Sequence, residues 1–359
     1  MNITSKLKLD NKNLYKEYEF KKDFFSKNSI KFKRKRKNKL IFKIIKKLGL
    51  NKQFNFYNIA SKNPNSEIYK LSYIDKKLVL KVEKITKTKN IVKIFNILKK
   101  HKLNCKILKP IFFNKEKNYL IYKKNIITLY PYLDGNLFSG NKKQFNSTIN
   151  EIINTFYVLS KIKLDNKLNA LNYFKKNENQ IINQISKNEK KIELFFKNEK
   201  RFNFSKHANL ILYEWKRLRK KKIFPGKKQL VHFDIHPHNL LMKNNKLVGI
   251  LDLSSLKNMP IGYALSYSFL KILRQHLSNY KINKNCKFLV NNFIKKVNKK
   301  LKLKFNKETI RDLAMTEILR RIVIILKKNI HLNDQSLNHI MPVLINNMIE
   351  CRVLFNEKK

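Results

Sequence analysis

Between Leu230 and Ser255 the chain reads LVHFDIHPHNLLMKNNKLVGILDLSS, which gathers three histidines and two aspartates into a sequence otherwise dominated by lysine. Two chemistries would use such a set. Imidazoles are common zinc ligands, so His232, His236 and His238 could contribute to the metal site of a hydrolase. The other chemistry is phosphoryl transfer. It needs a carboxylate to orient the attacking hydroxyl, oxygen ligands for Mg2+ and a cation on the nucleotide phosphates. Asp234 and Asn239 have the spacing Asp-x-x-x-x-Asn, which lets one loop present a base and a neutral oxygen ligand. Asp252 closes the apolar run LVGIL, where a strand would deliver a second carboxylate to the same place. Hard oxygen donors of this kind suit Mg2+.

Such side chains must be held by regular elements, and the surrounding pattern supplies them. Short apolar runs on either side of KNNK make Gln229 to Leu253 a hairpin. Upstream, FNFYNIA, IYKLSYI and LVLKVEK alternate between polar turns, which predicts an antiparallel meander over residues 54–84. Ile91, Ile94, Phe95 and Leu98 recur at helical spacing within Asn90 to Lys102, and KILKPIFF and NYLIYKKNIITLYPYL predict further strands. Beyond YPYLDG the period becomes helical over Lys142 to Ser160, Leu171 to Lys200 and Lys206 to Lys222, and again after Met259. The reading is an α+β chain. A basic extension over 1–47 precedes a small antiparallel sheet with one helix over 48–131 and a larger, mainly helical part over 132–359 that contains the hairpin.

The extension includes KFKRKRKNK, Lys31 to Lys39, and NKLIFKIIKKLGL, in which Leu40, Ile41, Ile44, Ile45 and Leu48 form an amphipathic helical stripe stopping at Gly49. Helices of this type usually bury their stripe in their own protein. Contact of residues 31–48 with an anionic membrane is the alternative.

The chain has 359 residues, 43% of them hydrophobic, enough for a sizeable core. Against 24 Asp and Glu stand 81 Lys and Arg, a formal net charge of +57. The excess is mostly Lys, spread from end to end beside abundant Asn and Ile. These residues share AT-rich codons, so genome base composition accounts for the bias and no specific nucleic-acid partner is expected. The surface nonetheless attracts polyanions. Cys105, Cys286 and Cys351 are far apart and form no Cys-x-x-Cys, which excludes a zinc ribbon or disulfide framework and fits a reducing compartment. No apolar run is long enough to span a bilayer, and the opening residues lack the apolar core of a signal peptide, so a cytoplasmic protein is expected.

The ordered set His232, Asp234, His236, Pro237, Asn239 and Asp252 resembles the signature of the aminoglycoside phosphotransferase and choline kinase-like superfamily. Its usual form is His-Gly-Asp-Leu-His-Pro-Gly-Asn, a hairpin, then Ile-Asp-Phe or Ile-Asp-Trp. YPYLDG, Tyr130 to Gly135, is similar to the family's hinge, Lys81 in LVLKVEK to its third-strand lysine, and NPNSEIYKL to the segment covering the nucleotide. The resemblance implies a two-lobed protein kinase-like fold and transfer of the γ-phosphate of Mg·ATP to a hydroxyl of a small molecule. Choline or ethanolamine, an amino acid, a sugar and an aminoglycoside are the acceptor classes it leaves open. It assigns Asp234 to the hydroxyl proton, Asn239 and Asp252 to Mg2+, and Lys81, Ser66, Tyr132 and Leu133 to ATP. His232 and His236 would support the loop.

The chain departs from that pattern in four places. No glycine lies between Ile59 and Tyr69, which leaves Asn65 and Ser66 as phosphate contacts. The segment from Asn90 to Lys102 holds no acid to pair with Lys81, and Glu83 and Glu67 are the nearest. His238 replaces a glycine, which requires that the backbone there avoid positive φ. Ala264, in PIGYALSY, stands where relatives often carry Asp. Trp215, with Leu212 and Leu218, reads as core rather than as a substrate platform. Beside the phosphotransferase stand two alternatives: the zinc hydrolase, and a catalytically silent basic protein that binds nucleotide or nucleic acid.

Overall fold

Leu78, Leu80 and Val82 recur at every second position of KKLVLKVEK. The strand built from it, β4 (Lys76–Lys84), therefore turns them to one side and Lys81 and Glu83 to the other. The protein is seen here in a computed structural model that describes residues 32–34, 42–43, 45–46, 55–59, 66–73, 76–84, 94, 96–98, 101, 103–111, 118–162, 204–279, 286–332, 334, 337 and 340–355.

Around β4 lie β1 (Phe32–Arg34), β2 (Asn55–Ile59), β3 (Ser66–Tyr73), β5 (Leu120–Tyr122) and β6 (Asn125–Pro131). They form a six-stranded antiparallel sheet in the order β1-β2-β3-β4-β6-β5. Leu80 and Val82 join Tyr69, Leu71, Ile127, Leu129 and Ile45 in one buried cluster. Each such side chain stabilises by roughly 1.5–3 kcal/mol when fully buried. A one-residue slip would expose them, so the cluster fixes the register that sets Lys81 opposite Ile68 and Thr128, and Glu83 opposite Ser66. The expected meander over 54–84 is present as β2, β3 and β4.

A second sheet carries the loop of interest. β7 (Asn136–Leu137), β9 (Leu240–Lys243) and β10 (Lys246–Ile250) pair in the order β10-β9-β7. Asn244 and Asn245 join β9 to β10 with φ of 50° and 60°, the two positive values that a tight two-residue hairpin turn needs and that Asn tolerates. Gly135 is needed ahead of β7, because a Cβ there would lie 2.6 Å from the Met242 carbonyl oxygen. Behind β10 packs α1 (Lys142–Ser160), capped by Asn141, whose side chain accepts from the Gln144 N–H. Its buried Phe145, Ile149, Ile152, Ile153, Phe156 and Leu159 follow helical spacing, and its bounds are those read from the sequence.

The described parts of Phe24–Leu168 and His232–Lys257 form one compact unit, which contains the six-stranded sheet, the three-stranded sheet and α1; those of Asn169–Val231 and Asn258–Lys359 form another. The second unit is built of α2 (Phe204–Arg219), α3 (Ile261–Leu277), α4 (Cys286–Leu301), α5 (Lys307–Leu332) and α6 (Met341–Phe355), with α5 packed on α3 and α6. Trp215 is buried on α2, as expected of a core residue. Its carboxylates are enclosed by cations: Glu350 with Arg274, Glu214 with Arg217 and Arg352, and Asp312 with Arg217, Lys221 and Arg311.

Several expectations need amendment. Within KILKPIFF the described residues 106–111 form no strand. Ile107 makes one isolated parallel bridge to Ile250, and Pro110 has no N–H to extend a ladder. Part of the basic run forms β1, paired with β2. β7 and the strand β11 (Leu256–Pro260) had no clear sequence signal. In the amphipathic stripe, residues 42–43 and 45–46 are helical and Ile45 is buried in the sheet's core, which favours packing of the stripe on its own protein. Residues 94 and 96–98 are helical as expected, with Ile94 and Leu98 buried. The helix read over Leu171 to Lys200 lies outside the described residues.

Candidate active site

The strand β8 (Lys228–His232) ends in a fully buried histidine. A carbonyl oxygen can only accept, so the Nε2 of His232 carries the hydrogen it donates to the Leu251 oxygen at 2.8 Å. Burial pushes the His232 pKa down, against the pull of that hydrogen bond and of Asp252 and Asp234, so the ring is a neutral strut. Nearby, the Phe233 N–H donates to the Ser255 oxygen at 2.8 Å and the Leu251 N–H to the Asn239 oxygen at 2.8 Å. The loop after β8 and the turn after β10 are thereby laced together.

Inside that lacing, Asn239 sits in a 3-10 turn, Pro237–Asn239, entered through His236. Its Nδ2 donates to the Asp234 backbone oxygen at 2.8 Å, which orients the amide and leaves Oδ1 as the end that can meet a cation. Nδ1 of His236 accepts from the His238 N–H at 3.3 Å, so the other ring nitrogen holds the hydrogen and faces Asp234 Oδ2 at 3.4 Å. Asp234 keeps 30% of its side chain exposed. The φ of His238 is not positive, so its place in a position usually held by glycine carries no backbone strain.

Asp252 follows β10 with φ 64° and ψ 68°, a left-handed conformation that turns its carboxyl back toward the sheet. Lys81 Nζ lies 2.8 Å from Oδ1 of Asp252 and 2.9 Å from Oε1 of Glu83. Ser254 Oγ donates to Oδ1 at 2.6 Å and Ser255 Oγ to Oδ2 at 3.1 Å. Burial opposes the charge of Asp252, but Lys81 and the hydroxyl of Ser254 outweigh it and hold the carboxyl at about 2. For Lys81, burial likewise opposes the charge and is outweighed by Asp252 and Glu83, so its pKa lies above the ordinary lysine value. Residues 171 positions apart thus meet as an ionised pair.

The remaining candidates fall as follows. Ser66 is buried on β3 opposite Glu83, on the sheet face that also carries Lys81. The Tyr132 N–H donates to the Lys77 oxygen at 3.1 Å and its ring lies beneath Lys70, while Leu133 lies against Gly249. The sequence reading missed Ser254 and Ser255, although a pair of hydroxyls directly after an acid is a recognisable source of short-range hydrogen bonds. The zinc reading is overturned. Among the described residues no three His, Cys, Asp or Glu side chains gather as a metal cluster, and Nε2 of His232 is taken by the Leu251 oxygen.

Among the described residues an antiparallel sheet bearing a carboxylate-bound lysine comes before a loop, hairpin and aspartate and a set of helices, the element order of a kinase-like fold. A profile of the phosphotransferase enzyme family matches residues 65–275, more than half of the chain. The chain belongs to that phosphotransferase family. No curated protein matches it. Among solved structures it is similar to a spectinomycin phosphotransferase in complex with ADP and spectinomycin, with TM-score 0.60 and 14% identity over 89% of this chain and 98% of that one. It is also similar to an amicoumacin kinase in complex with AMP-PNP and Ca2+, with TM-score 0.55 and 12% identity over 88% and 93%. A gentamicin-bound aminoglycoside phosphotransferase gives TM-score 0.52 and 13% identity over 89% and 99%. These likenesses are of fold.

Proposed function

We propose that the protein transfers the γ-phosphoryl group of ATP to a hydroxyl group of a small molecule. The observation that carries this reading is the 2.8 Å pair of Lys81 and Asp252, which joins a strand lysine to the turn laced onto the Asp234 loop. In the reaction the acceptor oxygen forms a bond to the γ-phosphorus, the bond from that phosphorus to the β-γ bridging oxygen breaks, and ADP leaves. Asp234, partly exposed and steadied by His236, aligns the hydroxyl and receives its proton. Lys81 holds the phosphates, with Ser66, Tyr132 and Leu133 as further nucleotide contacts.

The donor set fits magnesium. Asp252 is ionised over the whole physiological range with 31% of its side chain exposed, and Asn239 has its amide oriented by the Asp234 carbonyl. Asp252 and Asn239 would hold the ion, which when bound neutralises charge on the triphosphate. Nucleotide complexes of the spectinomycin phosphotransferase and the amicoumacin kinase, which share the fold, support ATP as the donor.

The test compares Asp234→Ala with Asp252→Ala in a screen of ATP consumption against amino alcohols, amino acids, sugars and aminoglycosides. Asp234→Ala should lose roughly 10²–10⁴-fold in transfer and keep Mg·ATP affinity, whereas Asp252→Ala should lose Mg2+-dependent nucleotide binding. Wild-type transfer by Asp234→Ala would end the proposal.

A further inference from the structure

We infer that Glu83 is a positioning residue that keeps Lys81 aimed at the nucleotide phosphates once Asp252 is committed to a metal ion. The inference rests on the nucleotide role given to Lys81 above. Lys81 and Glu83 each keep only 14% of their side chains exposed and meet at 2.9 Å. An ammonium so poorly hydrated needs a carboxylate beside it. Asp252 supplies one here, but its Oδ1 is the atom that touches Lys81, and both its oxygens also accept from serines. A divalent cation on that carboxyl competes with the ammonium for the same lone pairs. Among the described residues Lys81 is the one ion-pair partner of Glu83.

The strand repeat makes Glu83 the acid that stays. Positions 81 and 83 of β4 point to one face, so their side chains remain adjacent whatever the turn after β10 does. Glu67 is the other nearby acid, and the register excludes it. It lies opposite Val82, on the face away from Lys81, and accepts from the Tyr69 hydroxyl. The segment 90–102 has no Asp or Glu to offer.

Calorimetric titration of the full chain with AMP-PNP and Mg2+ tests this in wild type, Lys81→Met, Glu83→Gln, Glu67→Gln and the Lys81→Met/Glu83→Gln double variant. Glu83→Gln should weaken binding roughly tenfold, the effect of losing one charged hydrogen bond. Glu67→Gln should stay within about twofold of wild type. The double variant should bind no more weakly than Lys81→Met alone, because Glu83 acts only through the lysine. A merely structural Glu83 would instead weaken binding by the same factor in both backgrounds. That multiplication, or unchanged affinity in Glu83→Gln, overturns the inference. Should Lys81→Met itself bind as wild type does, the nucleotide role of Lys81 falls and the role of Glu83 with it. Impaired Lys81→Met beside unimpaired Glu83→Gln removes Glu83 alone.

Discussion

Asp312 in the helical unit is one carboxylate enclosed by three cations, Arg217, Lys221 and Arg311, whereas Lys81 in the sheet unit is one cation enclosed by two carboxylates. The same inversion runs through both regions. Glu317 is gripped by Arg320 and Arg321, and Glu350 by Arg274 with both side chains buried. At the candidate site Asp234 adds a third acid to Asp252 and Glu83. In a chain of formal charge +57 an acid meant only for structure finds cations in surplus. Where acids outnumber cations and stay partly exposed, the arrangement leaves charge for something that arrives later, such as a divalent cation. On the proposed reading, saturated pairs hold the helices and the acid-rich group meets the metal ion.

The sharpest way to break this contrast is to remove one acid from each region. Glu350→Gln removes the carboxylate that meets the buried Arg274 and should cost about 3–5 kcal/mol of stability, read as a drop in urea midpoint. Asp252→Asn leaves Lys81 paired with Glu83 and should cost no more than about 1 kcal/mol while abolishing Mg2+-dependent nucleotide binding. Equal losses of stability would erase the distinction.

Acid titration gives a smaller effect. Burial raises the Asp312 pKa, but hydrogen bonds from Arg311 and Arg217 and the charge of Arg217 outweigh it, so the carboxyl is held below its ordinary value. A carboxyl depressed in the folded state contributes stability that is complete above the unfolded pKa of about 3.9 and is lost as pH falls through the folded one. The urea midpoint of the wild type should therefore decline below about pH 4. Asp312→Asn should start lower at neutral pH and decline less steeply. A steeper decline in the variant would contradict the assignment.

The smallest effect belongs to Ser254→Ala. It deletes the 2.6 Å hydrogen bond to Asp252 and should weaken Mg·AMP-PNP binding by roughly tenfold or less without moving the unfolding midpoint appreciably. A large stability loss would mean that the turn after β10 is a structural brace.

The loop from His232 to Asp252 was legible in the sequence because its spacing is local and strict. A buried histidine, an acid, an amide and a second acid after a hairpin remain recognisable even among many lysines and asparagines. α1 was legible because its apolar period runs unbroken over the helix. β1 was not, because its strand character comes from pairing with β2 rather than from the composition of a basic run. β7 is two residues long, too short for any period. Strand alternation put Glu83 on the same face as Lys81, but choosing it over Glu67 required the register between β3 and β4, which a single chain of letters does not contain.

A lysine and an acid set two apart on one strand form a unit whose spacing is fixed by the backbone repeat itself. No hinge lies between them, so a rotating helix has no grip with which to disarm the pair. On the proposed reading, the lysine that meets the nucleotide is set as soon as the sheet has formed.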